Sequence, residues 1–269
     1  MDGVEIRFAE PKDAAQMADL FCGGFRPDVA QLLVYGCKGA SEYIRMQLAS
    51  GVPGAESAYY VAQTSDGIIG AAELRRQPNR LFLNYIAVHP NHRGHCVGAI
   101  LFSAAVEMSG VSPGQIGLDV LHDNVRALQW YSRLGFATRT STEFLDLASP
   151  SGADKEPAYV SGLPQADLCQ ERFGFSKFNL ITRKGSFSVG RIGDTWFRLT
   201  DLTAIGDPAI FAALNLLDSG RRIFAVVPAS SVPPTQVVRL MAKTYRMEAE
   251  IPHLMSSLSD DCQKSRELV

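Results

Sequence analysis

The stretch VHPNHRGHCVGAILFSAAVEM, residues 88–108, changes character at its middle. It continues LFLNYIAV (81–88), an apolar and β-branched run that reads as a strand and ends at Pro90. Three histidines, Arg93, Gly94 and Gly98 then crowd one short turn, and a helical apolar stripe follows. Val97, Ile100, Leu101, Ala104, Ala105 and Met108 share one helix face, so this face is expected to dock on a sheet. At the first turn of such a helix the backbone N–H groups lack partners, and the dipole adds partial positive charge. Glycine lets the backbone approach an anion closely, and Arg93 adds a fixed charge with directed donors. The turn is therefore a candidate phosphate or pyrophosphate site. No Gly-Lys-Ser/Thr follows, which excludes a nucleotide P-loop. His89, His92, His95 and Cys96 offer metal-ligating atoms in the same turn, but no carboxylate supports them and no metal is expected.

Outward from this junction the chain alternates strands and helices. VEIRFAEP reads as a first strand and DAAQMADLF as a helix with Asp13 at its N-cap. Residues 27–50 have helical character with a break at Tyr35-Gly36. SAYYVAQT (57–64), GIIGAAELRR (67–76) and LFLNYIAV form a meander, its first turn marked by Asp66-Gly67. QIGLDVL (115–121) is a strand, NVRALQWYSRLG (124–135) a helix and FATRTSTEFLDL (136–147) a strand region. This order predicts an α/β (α+β) fold: a mixed, mostly antiparallel, splayed sheet flanked by helices.

Residues 149–165 are rich in Ser, Gly, Pro and Ala and read as a linker, dividing a domain at 1–148 from a smaller α/β domain at 166–269. The second region repeats the rhythm of the first. SKFNLITRKGSFSVGRIGDTWFRLTD holds two or three strands, AIFAALNLLDSG a helix capped by Gly220, RRIFAVVP a buried strand and TQVVRLMAKTYRM a helix. That order suggests a degenerate half-repeat.

Composition narrows the class. Hydrophobic residues make up 46% of the 269, and the net charge of −2 points to neither a nucleic-acid nor a membrane surface. Five cysteines without paired spacing support no disulfide framework and no zinc site. The N-terminus lacks signal-peptide layout and no long apolar span occurs, so a cytoplasmic protein is expected.

V-x-P-x-x-R-G-x-x-x-G-A after a strand and opening a helix resembles the acyl-CoA-binding segment of the GNAT superfamily of N-acetyltransferases. Arg93, Cys96 and Gly98 fall on the family's three fixed positions, with cysteine where glycine is usual. A helical first turn does not require glycine, so weakened rather than lost binding is expected at Cys96. A second segment, Asn124 to Phe136, is similar to the family's N-x-x-A-x-x-x-Y-x-x-x-G-F stretch. Asn124, Ala127 and Tyr131 share its helix face, and Gly135 stands where a C-cap is expected.

The resemblance implies acetyl-CoA as cosubstrate, without a metal. It would lie in a cleft between strands 81–88 and 115–121. Its pantetheine would pair with the backbone of Ile86, Ala87 and Val88, and its pyrophosphate with the amides of Gly94, His95, Cys96, Val97, Gly98 and Ala99. The implied reaction is acetyl transfer to a primary amine of a small molecule or peptide. A backbone N–H near Ala87 or Val88 would stabilise the oxyanion, and Tyr131 would be the general acid. Many relatives carry a glutamate near the position of Asn84, which here is left to orient a water. Glu73, whose alternative is an exposed strand residue, and the loop residue His122 are the candidates for base. A non-catalytic acyl-CoA sensor is the alternative reading, and a homodimer is a possible assembly.

Overall fold

The computed structural model describes residues 3–50, 56–78, 80–110, 114–150, 157–231 and 237–267. The first half runs β1 (Glu5–Phe8), α1 (Ala14–Cys22), α2 (Pro27–Ala30), α3 (Ala40–Ala49), β2 (Ser57–Thr64), β3 (Gly67–Gln77), β4 (Arg80–Val88), α4 (Val97–Met108), β5 (Gln115–Leu121), α5 (Val125–Arg133) and β6 (Ala137–Leu147). The second runs β7 (Tyr159–Ser161), α6 (Leu163–Phe173), β8 (Phe175–Thr182), β9 (Gly185–Ile192), β10 (Trp196–Leu199), α7 (Leu202–Ile205), α8 (Pro208–Leu217), β11 (Arg222–Pro228), β12 (Val237–Glu250) and α9 (Ile251–Glu267). The sheet is open, mostly antiparallel and flanked by helices, as expected.

Two compact units emerge, and neither is continuous in sequence. One comprises residues 1–25, 41–140 and 245–269; the other comprises 26–40 and 141–244. The division at 149–165 expected from composition differs from this one, whose boundaries fall inside β6 and β12. Of that expected linker, residues 151–156 lie outside the described residues, while Tyr159–Ser161 is a strand and α6 begins at Leu163.

The first unit orders its strands β1-β2-β3-β4-β5-β12, and the second β7-β8-β9-β10-β11-β6. Each thus follows five consecutive strands with a sixth from the other half of the sequence. In each, the fourth and fifth strands are parallel and joined through a helix, α4 or α8. The sixth strands are thus exchanged between the two halves of the sequence.

The exchange corrects one expectation directly. TQVVRLMAKTYRM is no helix: from Val237 it is β12. Met247 and Ala249 are buried while Arg246, Glu248 and Glu250 alternate with them, the period of two that a half-buried strand requires. α8 closes at Asp218 rather than Gly220. The core of the first unit gathers Tyr60, Leu74, Leu83, Leu101, Phe102 and Leu118 with Met247, Leu254 and Leu258 from the C-terminal segment. The face α4 buries is turned from the one expected: Val97, Leu101, Phe102, Ala105 and Val106 are inside, while Ile100 and Ala104 are only half-buried.

Asp13 does occupy the N-cap of α1, but its carboxylate makes no cap bond there. It accepts from Arg7 at 2.6 and 3.1 Å and from the Glu10 amide at 2.7 Å. Burial opposes its ionisation, and these donors more than offset it, so its pKa is lowered.

Candidate active site

The site is built where β4 leaves β5. Their parallel register runs from Arg80↔Gln115 to Leu83↔Leu118 and stops there. At the same point β3 and β4 shift register: Glu73 faces Tyr85 and Leu74 faces Leu83, so Asn84 is an extra residue, a bulge. Beyond it β4 stays paired with β3 alone. The His89 amide donates to the Ile69 carbonyl at 2.8 Å. By the alternation of an antiparallel ladder, Ala87 is then turned to β3, while the N–H and C=O of Ile86 and Val88 point into the splay. Arg93 Nε donates to the Val88 carbonyl at 2.9 Å, anchoring the phosphate turn to the strand end.

A cleft of about 420 Å³ opens there. Of the residues expected to hold acyl-CoA, Ile86, Ala87, Val88, Arg93, Gly94, Cys96, Val97, Gly98, Ala99, Asn124, Ala127 and Tyr131 line it. His95 does not; it is exposed outside the cleft. Arg126 and Arg133 on α5 add positive charge, and Asp261 on α9 lines the cleft and accepts from Trp130 Nε1 at 3.2 Å. Sequence reasoning missed these three. The arginines fall on the solvent side of an amphipathic helix, and nothing local places a residue near the C-terminus against it. Among the described residues no cluster of three or more His, Cys, Asp or Glu is arranged to hold a metal ion.

The α4 N-terminus holds a correction. Cys96 is its N-cap, with φ +56° and ψ +2°. This is the left-handed region, so the position does favour glycine, contrary to the expectation of an ordinary helical turn. A non-glycine residue there costs roughly 1–2 kcal/mol, against about 0.5–1 kcal/mol for the extra freedom glycine loses on folding. Thermal unfolding should therefore rank Cys96→Gly at or above the parent and Cys96→Val below it, because a β-branched side chain tolerates positive φ worst. Equal melting of the valine variant and the parent would show that the turn is not held in this conformation.

Asn124 is the N-cap of α5, its Oδ1 accepting from the Ala127 amide at 3.2 Å. Its first role is thus to shape the helix end that faces the cleft. Gly135 ends that helix with φ +89°, and the Phe136 amide returns to the Tyr131 carbonyl at 3.0 Å, as in a Schellman closure. Tyr131 is buried, its ring against Trp130 and Phe136. Burial pushes its phenol above the ordinary value, so it stays protonated.

Glu73 is not an exposed strand residue. It is fully buried, accepting from Ser57 Oγ (2.9 Å), Arg75 Nε (2.9 Å) and Asn84 Nδ2 (2.7 Å). It lines neither the cleft nor the smaller cavity beside it; Asn84 lines the latter. A carboxylate only accepts, so the Asn84 amide nitrogen must face Glu73, and its carbonyl oxygen is not used in that bond. His122 is exposed and lines neither space.

The corresponding helix of the second unit begins differently. Asp207 is the N-cap of α8; its carboxylate accepts from the Ala209 amide at 3.2 Å and from Thr182 Oγ1 at 2.7 Å. A carboxylate thus occupies the place that an anion would take.

A sheet that splays beside a glycine-bracketed helix N-terminus is the fold of the GNAT N-acetyltransferases. Residues 55–138 match the family model described as an acetyltransferase (GNAT) domain. Over nearly the whole chain the fold is similar to that of a GCN5-related N-acetyltransferase from Sphaerobacter thermophilus, with a TM-score of 0.61, 14% identity, and 93% of this chain and 96% of that one covered. A putative acetyltransferase from Pyrococcus horikoshii gives a TM-score of 0.59 at 15% identity, covering 93% and 90%. A tandem GNAT protein from the clavulanic acid biosynthesis pathway gives 0.59 at 12% identity, covering 92% and 98%. No curated protein sequence matches the chain.

Proposed function

We propose that this protein is an acetyl-CoA-dependent N-acetyltransferase that moves the acetyl group directly to a primary amine. The observation that carries the reading is the coincidence, in one cleft, of the α4 N-terminus with Gly94, Arg93 and Gly98 and the side of β4 turned away from β3 at Ile86 and Val88. A diphosphate suits the first and a pantetheine amide the second. Arg126 and Arg133 add charge for further phosphate oxygens.

In the proposed reaction the neutral amine attacks the thioester carbon, and the Val88 N–H donates to the oxygen as it becomes negative. The C–S bond breaks, and Tyr131 donates to the sulfur. The proton lost by nitrogen passes to water, with Asn84 Oδ1 orienting the incoming N–H and Glu73 fixing Asn84. Glu73 acts here as a positioning residue, because it lines neither space and reaches the smaller cavity only through Asn84. Titration calorimetry with CoA, followed by thiol release from acetyl-CoA across an amine panel, tests this. Micromolar binding with amine-dependent release is expected. Binding without release on any amine would instead establish the sensor, and absence of binding would refute both.

A further inference from the structure

Beside the cleft, on the other side of Ile86, Ala87 and Tyr131, lies a second cavity of about 120 Å³. Both spaces share these residues together with Gly24, Asn124 and Ala127, so an acyl group carried along β4 would reach the mouth of the smaller one. If the larger cleft holds acyl-CoA, as proposed above, the smaller one receives the acceptor, and its chemistry defines the acceptor class.

Aromatic and aliphatic groups dominate its walls. Phe21 and Phe25 meet Tyr85 at ring-centroid distances of 5.4 and 5.8 Å, the second edge-on, and Leu83, Leu118 and Val120 complete the apolar surface. A cavity of roughly this size accommodates one benzene ring. The polar side chains are few: Asn84, Tyr85, Asp119, Asn124 and Tyr131. Among the described lining residues Asp119 alone is charged, and both its oxygens accept from Arg246, at 2.6 and 2.8 Å. Asn84, with one N–H given to Glu73, keeps its carbonyl oxygen as an acceptor.

Two classes of amine fit poorly. An acceptor bearing a carboxylate, such as a free amino acid, would bury that charge with no lining Lys, Arg or His to receive it and with Asp119 nearby. A diamine would bury a second ammonium where the one carboxylate is already neutralised. What fits is a single amine on a short chain ending in an aryl or compact alkyl group, the ring among Phe21, Phe25 and Tyr85 and the N–H directed to Asn84.

We propose that the acceptor is such an arylalkyl or compact alkyl monoamine, otherwise uncharged. The test uses the full chain with acetyl-CoA and three probes: 2-phenylethylamine, L-phenylalanine and putrescine. The first should exceed each of the others in kcat/KM by at least about 50-fold, of the order expected when a charge must be buried unpaired. Phe25→Ala should lower kcat/KM for 2-phenylethylamine about tenfold while leaving the Kd for acetyl-CoA unchanged, since Phe25 lines the acceptor cavity and not the larger cleft. With acetyl-CoA bound normally, equal or better use of L-phenylalanine or putrescine, or no turnover of 2-phenylethylamine, overturns the acceptor assignment and leaves acyl-CoA binding standing. Failure of acetyl-CoA to bind overturns the reading beneath it as well.

Discussion

Gly98→Asp should weaken CoA binding by about 100-fold or more while leaving the apo-protein at least as stable as the parent. The two effects separate because of where Gly98 sits. It is the second residue of α4, and a Cβ built there meets only Val88 Cγ2 at 3.6 Å and Trp130 Cη2 at 3.8 Å, ordinary contacts. The substitution therefore needs no backbone shift. An acidic side chain in the first turn of a helix adds roughly 0.3–1 kcal/mol of stability through the dipole. The same charge stands within the proposed diphosphate cradle. At an effective dielectric of 20, two like charges about 4 Å apart repel by about 4 kcal/mol, which exceeds the roughly 2.7 kcal/mol that a 100-fold loss requires. Gly98→Ala, which adds bulk without charge, should cost far less. Calorimetry and thermal unfolding on both variants provide the check: unchanged CoA affinity in the aspartate variant would remove the phosphate from this turn.

The turn was legible in the sequence because its signal is local. Gly94, Arg93 and Gly98 fall in six consecutive residues after a strand, and the donors they expose belong to the same segment. The meander also followed from local cues, and residues 57–64 and 115–121 form strands as read. The face of α4 was not legible: Val97, Ala99, Ile100, Leu101, Phe102, Ala104, Ala105 and Val106 are all apolar, so periodicity cannot choose among neighbouring faces. The conformation of Cys96 was hidden for another reason. Positive φ is usually announced by glycine, and here the side chain gives no such announcement.

The exchange of sixth strands lies beyond local pattern altogether. β6 and β12 are each compatible with a place beside β5 or β11, and only tertiary pairing selects β12 for β5. With β12 comes α9, and with α9 comes Asp261, which lines a cleft whose other residues, Gly24 apart, all lie between 86 and 133. The buried state of Glu73 was masked similarly. GIIGAAELRR places it beside two arginines, as in many exposed strands, while its partners Ser57 and Asn84 are supplied by the neighbouring strands.

Tyr131→Phe should reduce kcat by about 100-fold, with the acceptor KM and the Kd for acetyl-CoA little changed. Positioned proton donors contribute roughly 10²–10⁴-fold. The lower end is expected here because burial holds the phenol above its ordinary pKa near ~10, while a departing thiolate has a basicity nearer ~8.5. Complete proton transfer from so weak an acid is uphill, so most of the effect comes from a hydrogen bond that strengthens as charge builds on sulfur. The fold should tolerate the change, because the ring keeps its contacts with Trp130 at 5.1 Å and Phe136 at 5.6 Å. The same shift fixes the sign of two pH effects. Between pH 7 and 9 the phenol stays protonated, so any rise of kcat/KM with pH in that window belongs to the free amine, and Tyr131→Phe should leave its midpoint in place. Because the folded phenol ionises less readily than the unfolded one, its contribution to stability is complete below about pH 10 and lost as the pH rises further. The phenylalanine variant should therefore lose less stability than the parent in strong alkali. A kcat equal to the parent's with an accepted amine would remove Tyr131 from the chemistry, whatever the alkaline unfolding shows.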